Sequence, residues 1–382
     1  MRFIFGRNDD AEAGARDELL SRMDAFWKEL SAVGLERLEP SAARRQVAER
    51  LAELHPAIDC EVLERTLVLT PRGERRLRPW VNALVARAPE LGGLTVAGYG
   101  PPLSLSAALG RARVETGVDL AGSEVRAGFG RGHLLDLVFH SPEATSAADE
   151  RVLTAAECCA EAVLGERVFD DWIGTVSVTP APRRGPLRVV SDDEPRLPLA
   201  ELGPSVRAAI EGVLSGLPAA EDGWTLFETE PPLASDYARQ DDLAVATTCA
   251  PELLKCFLEG APFSSKRFSR SGELFAYLKL ESKGASEERL AFRTEVEDAL
   301  ARELPPGLGR VIGNGLGVRY VYVDLALRDL GKALPILVAA ARAHRADVRS
   351  WILFCDSDWS DEWVGVCDAT PAPPRASVEH AP

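Results

Sequence analysis

The sharpest two-residue alternation lies at 273–281, ELFAYLKLE, where Leu274, Ala276, Leu278 and Leu280 share one side and Phe275, Tyr277 and Lys279 the other. That period predicts a strand. A helical period follows, with Phe292, Val296, Leu300 and Leu304 recurring every four residues. Ser286 is the expected N-cap, Glu287 and Glu288 suit the first turn, and Pro305-Pro306-Gly307 stops the helix. Residues 309–327, GRVIGNGLGVRYVYVDLAL, read as two strands joined at Asn314-Gly315, a dipeptide suited to a type I′ turn. Asp329 is placed to cap a second helix with Leu330, Leu334, Leu337, Val338 and Ala341 inward, although Pro335 requires a late start or a kink. SWILFC at 350–355 closes the set. The order is β-α-β-β-α-β, the split βαβ or ferredoxin-like arrangement.

The first half carries the same order less clearly. Leu19, Met23, Phe26, Trp27 and Leu30 mark one buried face of a helix over 11–32, and 42–54 predicts a second. An extended run over 58–70, with a possible break near Glu64, precedes a helix at 79–88 and a strand at 94–99. A long irregular segment separates these from a hairpin at 124–129 and 133–140, with Gly130 to Gly132 as its turn. A helix over 147–164 and a strand over 172–178 complete the half. Five prolines precede Pro204 in 179–204, which predicts a linker there. The expected fold is therefore α+β, with two tandem ferredoxin-like domains and a helical extension before the first. The divisions are a domain at 1–178, a Pro-rich linker at 179–204, a domain at 205–369 and a disordered tail at 370–382. Between 204 and 271 only a helix near 206–214 is legible.

Composition narrows the function classes. The chain of 382 residues is 46% hydrophobic and 27% charged, as ordinary globular domains are. No apolar run approaches the roughly 20 residues that span a bilayer, and MRFIFGRNDD lacks a signal peptide's apolar core. A cytoplasmic protein without a membrane partner is expected. The seven cysteines are odd in number and contain no C-x-x-C, so free thiols are expected rather than disulfides or zinc. The net charge of −15 divides after Pro204 into 25 basic against 32 acidic residues, then 19 against 27. Neither half attracts a polyanion, which weighs against nucleic acid.

Candidate chemistry sits in three places. Gly313, Gly315 and Gly317 precede a strand instead of a helix, so they form no phosphate loop. Phe275, Tyr277, Tyr320 and Tyr322 gather on the sheet face away from the helices, as ligand-binding candidates or as core beneath the lead-in segment or a second sheet. This pattern resembles the RNA-recognition motif, whose aromatics stack on bases, although Asp324 on the same face repels phosphate. Asp356, Asp358, Asp361 and Glu362 in CDSDWSDEW offer oxygen ligands for a hard cation, against a solvated loop anchored by Trp359 and Trp363. His133 and His140, Cys158-Cys159 and Asp170-Asp171 assemble no nucleophile with a base, the last pair reading as strand entry. No cofactor motif is present.

EVEDAL at 295–300, the hairpin over 309–327 and SWILF resemble small bacterial domains of unknown function with a βαββαβ fold. LTPRGERRLRPWVNALVARAPEL and DDWIGTVSV are similar to an uncharacterised bacterial family. Such families carry no agreed chemistry, so the resemblance implies a fold and no catalytic residue. The expectation is a non-catalytic binding or regulatory protein, immunity- or adaptor-like, whose partner is a protein or small ligand. Nucleic-acid binding through the four aromatics and a metal-dependent hydrolase at the acidic loop are the alternatives.

Overall fold

The computed structural model describes residues 10–63, 65–181, 195–217 and 223–374. In chain order the elements of the first half begin with α1 (Asp10–Val33), α2 (Pro40–Leu54), β1 (Asp59–Leu63), β2 (Thr66–Thr70), α3 (Arg78–Ala86) and β3 (Thr95–Ala97). They continue with α4 (Leu105–Thr116), β4 (Glu124–Phe129), β5 (Leu135–Ser141), α5 (Glu150–Leu164), α6 (Glu166–Trp172), β6 (Ile173–Pro180), β7 (Leu197–Pro198) and α7 (Leu202–Gly216). The second half holds β8 (Thr225–Glu228), β9 (Leu243–Thr248), α8 (Pro251–Leu258), β10 (Leu274–Glu281), α9 (Ser286–Glu303), β11 (Gly309–Gly317), β12 (Tyr320–Leu327), α10 (Leu330–Ala343), β13 (Ser350–Phe354) and β14 (Trp363–Gly365). The chain is mixed α+β, and among the described residues the strands form three sheets.

Two compact units form, and each draws on separate stretches of chain. One contains residues 1–32, 76–87 and 217–382; the other contains 33–75 and 88–216. The helices α1 and α3 thus belong with the second-half sheet. Trp27 donates its indole N–H to the Leu84 carbonyl at 2.7 Å, and Arg87 pairs with Asp24 at 2.5 Å, which clamps α1 to α3.

In the unit of 33–75 and 88–216 the expected single sheet is divided. β1-β2-β3 form a three-stranded sheet, and β6-β5-β4-β7 form a four-stranded one with β5 and β6 parallel. The segment expected to be irregular contains α4. Ser104 accepts the Ala107 N–H at its start, Gly117 adopts φ 74° at its end, and only Ala108 and Ala112 are buried. Asp170 and Asp171, expected as strand entry, are buried within α6. The core gathers Val125, Leu137 and Phe139 from the sheet, Val152, Ala156 and Cys159 from α5, and Leu202 and Val206 from the α7 side. An ion ladder joins β1 to α4, running from Asp59 through Arg72 at 2.6 Å and Glu61 to Arg111 at 3.1 Å, then to Glu115 at 3.1 Å. Within 179–204, expected as linker, residues 182–194 lie outside the described residues, and Leu197–Pro198 pairs with β4.

The other unit carries a seven-stranded antiparallel sheet ordered β14-β13-β10-β12-β11-β9-β8. Its centre follows the expected β-α-β-β-α-β sequence. Helices α9 and α10 pack on one face, where Leu278, Leu280, Val321, Val323 and Ile352 meet Val296, Leu300 and Leu337. Pro335 lies within a helix that begins directly after Asp329, whose carboxylate accepts the Lys332 N–H at 3.1 Å. Ser286 is the first helical residue and not the cap; Ala285 holds that position, and Glu288 accepts its N–H at 3.1 Å. Of the tail expected to be disordered, Thr370 is buried and the Pro371 carbonyl receives the Trp351 indole N–H at 2.6 Å. Residues 375–382 lie outside the described residues.

The glycine hairpin differs from its expectation. Asn314-Gly315 lies inside β11, facing Val323 and Tyr322 of β12 on one side and Thr247 and Ala246 of β9 on the other. The chain turns instead at Val318-Arg319. These glycines are needed for space. A Cβ on Gly313 would stand 2.7 Å from the Asp324 carboxylate, one on Gly315 2.5 Å from Leu243 Cδ1, and one on Gly317 2.5 Å from the Asp242 carboxylate. Their two-residue spacing puts all three on one face, where they open a trough for Asp242, Leu243 and Asp324.

Candidate functional site

Tyr277, Tyr320 and Tyr322 stand together on the sheet face opposite the helices, joined there by Trp351, Leu353, Trp363 and, from the preceding segment, Tyr237, Leu243 and Leu254. Phe275 belongs to an adjoining cluster with Phe263, Leu253, Cys256 and Ile312. All four sequence-selected aromatics are buried, each at most 4% exposed. The cover is the lead-in segment, namely α8 and residues 235–243. Sequence left that segment unread because α8 is short and the stretch before it has no clear period. A base cannot stack on a face already occupied by Tyr237 and Leu254, so this fold does not present the aromatics as a nucleic-acid platform.

Beneath the cover lies a polar cluster that sequence reasoning missed. Asp242 Oδ2 accepts the backbone N–H groups of Arg319 at 2.7 Å and Tyr320 at 2.9 Å, while Oδ1 accepts the Tyr322 hydroxyl. Asp242 therefore fixes the hairpin turn. Tyr320 donates its hydroxyl to Asp236 at 2.7 Å, and the Arg349 guanidinium donates to both Asp236 and the Tyr320 oxygen. Arg319 pairs with Glu281 at 2.6 Å and donates to the Ser235 carbonyl at 3.0 Å. Lys279 is fully buried, donates to the Tyr237 carbonyl, and lies 4.1 Å from the centre of the Tyr320 ring. Burial pushes its pKa down to about 8, opposed by Asp242, Asp236 and Asp241. Further along, Gln240 donates to Asp324 at 2.9 Å, and burial pushes that carboxyl up to about 6.

A lysine of lowered pKa beside tyrosines and carboxylates resembles acid–base machinery. Here every named group is engaged by a neighbour within the unit. Burial, then the Asp236 hydrogen bond, pushes Tyr320 up to about 12, and burial followed by Asp242 raises Tyr322 well beyond an ordinary phenol. Both hydroxyls therefore remain protonated donors near neutral pH. The set holds residues 235–243 to the sheet.

The four acidic-loop residues are not brought together as ligands. Asp356 accepts the Ser265 N–H at 2.8 Å and its hydroxyl, and Ser265 accepts the Phe275 N–H at 2.9 Å. Asp358 sits in a short 3-10 turn, Asp361 is half-buried, and Glu362 is buried. Among the described residues no group of three or more His, Cys, Asp or Glu side chains could hold a metal ion. Trp359 anchors the loop edge-on against Phe354 at 5.3 Å.

The weaker candidates separate. His140 in β5 shares a 2.7 Å hydrogen bond with Thr179, whereas His133 lies in the turn before that strand with φ 60°. Cys158 contacts Glu115 at 3.3 Å, and burial with that carboxylate pushes the thiol up to about 12, which suppresses the thiolate. All seven cysteines are free.

The opposite end of the seven-stranded sheet contrasts with this closed cluster. Trp224, Leu226 and Val245 are 56%, 59% and 40% exposed, respectively. Leu226 faces Thr247, Thr247 faces Asn314, and Asn314 faces Val323, so Leu226 and Val245 lie on the helix-side face. There β8 and β9 display an apolar surface. Among the described residues no helix is long and apolar enough to cross a membrane. No protein-family model, curated protein or solved structure matches the chain, so the bacterial resemblance gains no support.

Proposed function

We propose that this is a non-catalytic, cytoplasmic binding or regulatory protein that acts through contact with another protein. Its second half is read as a ferredoxin-like module extended by β8, β9 and β14; the β13-β10-β12-β11 order supports that name. The two sheets of the first half give the tandem arrangement no comparable support.

One observation carries the reading: Trp224, Leu226 and Val245 lie open on the sheet, while Lys279, Tyr320 and Tyr322 of the same sheet are closed under residues 235–243. Exposed apolar patches of this kind mark interaction surfaces. A small ligand is less well served, because the aromatic face that would receive it is filled.

A photo-crosslinking residue at position 226, with position 114 as control, tests the proposal in cells. Val114 is 87% exposed on α4, in the other unit. One defined protein captured at 226 and not at 114 supports binding. Turnover of any substrate that is lost in Asp356→Asn or Lys279→Met, with the fold retained, sinks it.

A further inference from the structure

The chemistry around β8 also indicates what it binds. Among the described strands β8 is outermost and pairs with β9 alone. Thr229 donates its N–H to the Ala244 carbonyl at 2.9 Å. By strand alternation, Leu226 and Glu228 then turn their backbone groups away from β9. Natural edges of this kind are blunted by charge, above all lysine, by proline, by a bulge or by shortness; β8 is four residues long and its one charge is the acidic Glu228. Here the register between β8 and β9 is unbroken, residues 224–228 contain neither lysine nor proline, and Pro231 follows the strand.

Along β8 and the residues that follow it in the chain, the charge has one sign. Residues 223–238 contain Glu228, Glu230 and Asp236, with no Lys, Arg or His. Arg349 and Arg319 engage Asp236, whereas Glu228 and Glu230 are exposed. Alternation continues the face of Trp224 and Leu226 into these two glutamates. A second copy paired edge to edge about Glu228 would bring the same acids against themselves, and one paired about Leu226 would set Glu228 against Trp224 instead of a cation. The geometry points to β8 as the receiving edge for an extended segment of another protein, added as an eighth antiparallel strand. That segment places Lys or Arg opposite Glu230 and Glu228, then apolar side chains opposite Leu226 and Trp224. This assignment rests on the binding reading above.

The test uses the full chain and two synthetic peptides, acetyl-Arg-Thr-Lys-Thr-Val-Thr-Val-amide and the same peptide with both basic residues replaced by Glu. Binding is followed by calorimetry. The basic peptide is expected to bind about tenfold more tightly than the acidic one, and salt should narrow the gap. Glu228→Lys with Glu230→Lys should reverse the preference, and Leu226→Lys should weaken both peptides. The assignment falls if the basic peptide does not bind the folded chain, or if both peptides bind equally. It also falls if the chain self-associates through this edge in a manner lost in Leu226→Lys, since the occupant is then a second copy. Capture at position 226 without binding of the basic peptide overturns this assignment alone; absence of capture as well overturns the binding reading with it.

Discussion

Gly317→Ala tests whether the glycines in β11 serve space or flexibility. In an extended strand without positive φ, replacing Gly by Ala ordinarily stabilises a protein by about 0.4–1 kcal/mol through the unfolded chain. The structure predicts the opposite sign. The new methyl would lie 2.5 Å from Asp242 Oδ2 and 2.6 Å from its Cγ and Oδ1. Asp242 cannot retreat without releasing the Arg319 and Tyr320 N–H groups and the Tyr322 hydroxyl. Overpacking costs about 1–3 kcal/mol, and each hydrogen bond weakened at a charged acceptor adds up to about 1.5–3 kcal/mol. A net loss of about 2–4 kcal/mol follows, since not every bond breaks. Urea unfolding followed by tryptophan fluorescence measures it, because six of the seven tryptophans, all but Trp172, lie in the unit that contains this sheet. Gly307→Ala is the control, in the same unit with nothing within 4 Å of its added Cβ and no positive φ, and should be neutral or stabilising by up to about 1 kcal/mol. The penalty should largely vanish in an Asp242→Ala background, where the clash is gone. A neutral or stabilising Gly317→Ala refutes the argument.

Three further outcomes are expected. The folded Asp324 pKa of about 6 exceeds the unfolded carboxylate value, so the wild type is penalised above pH 6 and recovers as pH falls toward 4. Asp324→Asn should therefore be more stable by about 1–3 kcal/mol at pH 8 and lose that advantage near pH 4, as read from denaturation midpoints across pH. Asp356→Ala strands the Ser265 hydroxyl and N–H and should cost about 2–3 kcal/mol with or without Mg²⁺ or Ca²⁺; a cation-dependent Tm in the wild type, absent from the variant, would revive the metal site. Tyr322→Phe should lower stability by about 1–2 kcal/mol without altering retention on single-stranded RNA; a selective loss of RNA retention would restore the nucleic-acid reading.

What sequence could show follows from how far each signal reaches along the chain. The alternation of Leu274 to Leu280 and the stripe from Val296 to Leu304 are local periods, and β10 and α9 follow them. Helix α4 was missed because its buried face is made of Ala108 and Ala112, too small to write an apolar stripe, although Ser104 and Gly117 carried legible start and stop chemistry. The division of the first half into two sheets, and the pairing of α1 with α3, depend on partners tens of residues apart that no window contains.

Asn314-Gly315 failed for a different reason. Glycine is selected both where a chain must turn and where another group must approach, and a dipeptide does not separate the two. The spacing of Gly313, Gly315 and Gly317 does separate them. A turn needs its special residues side by side, whereas a trough needs them two apart on one face. In the structure that face receives Asp242, Leu243 and Asp324. The tyrosines that follow, Tyr320 and Tyr322, are accordingly donors to Asp236 and Asp242 within the fold. With that face filled, the proposed recognition is left to the sheet's edge at Trp224 and Leu226.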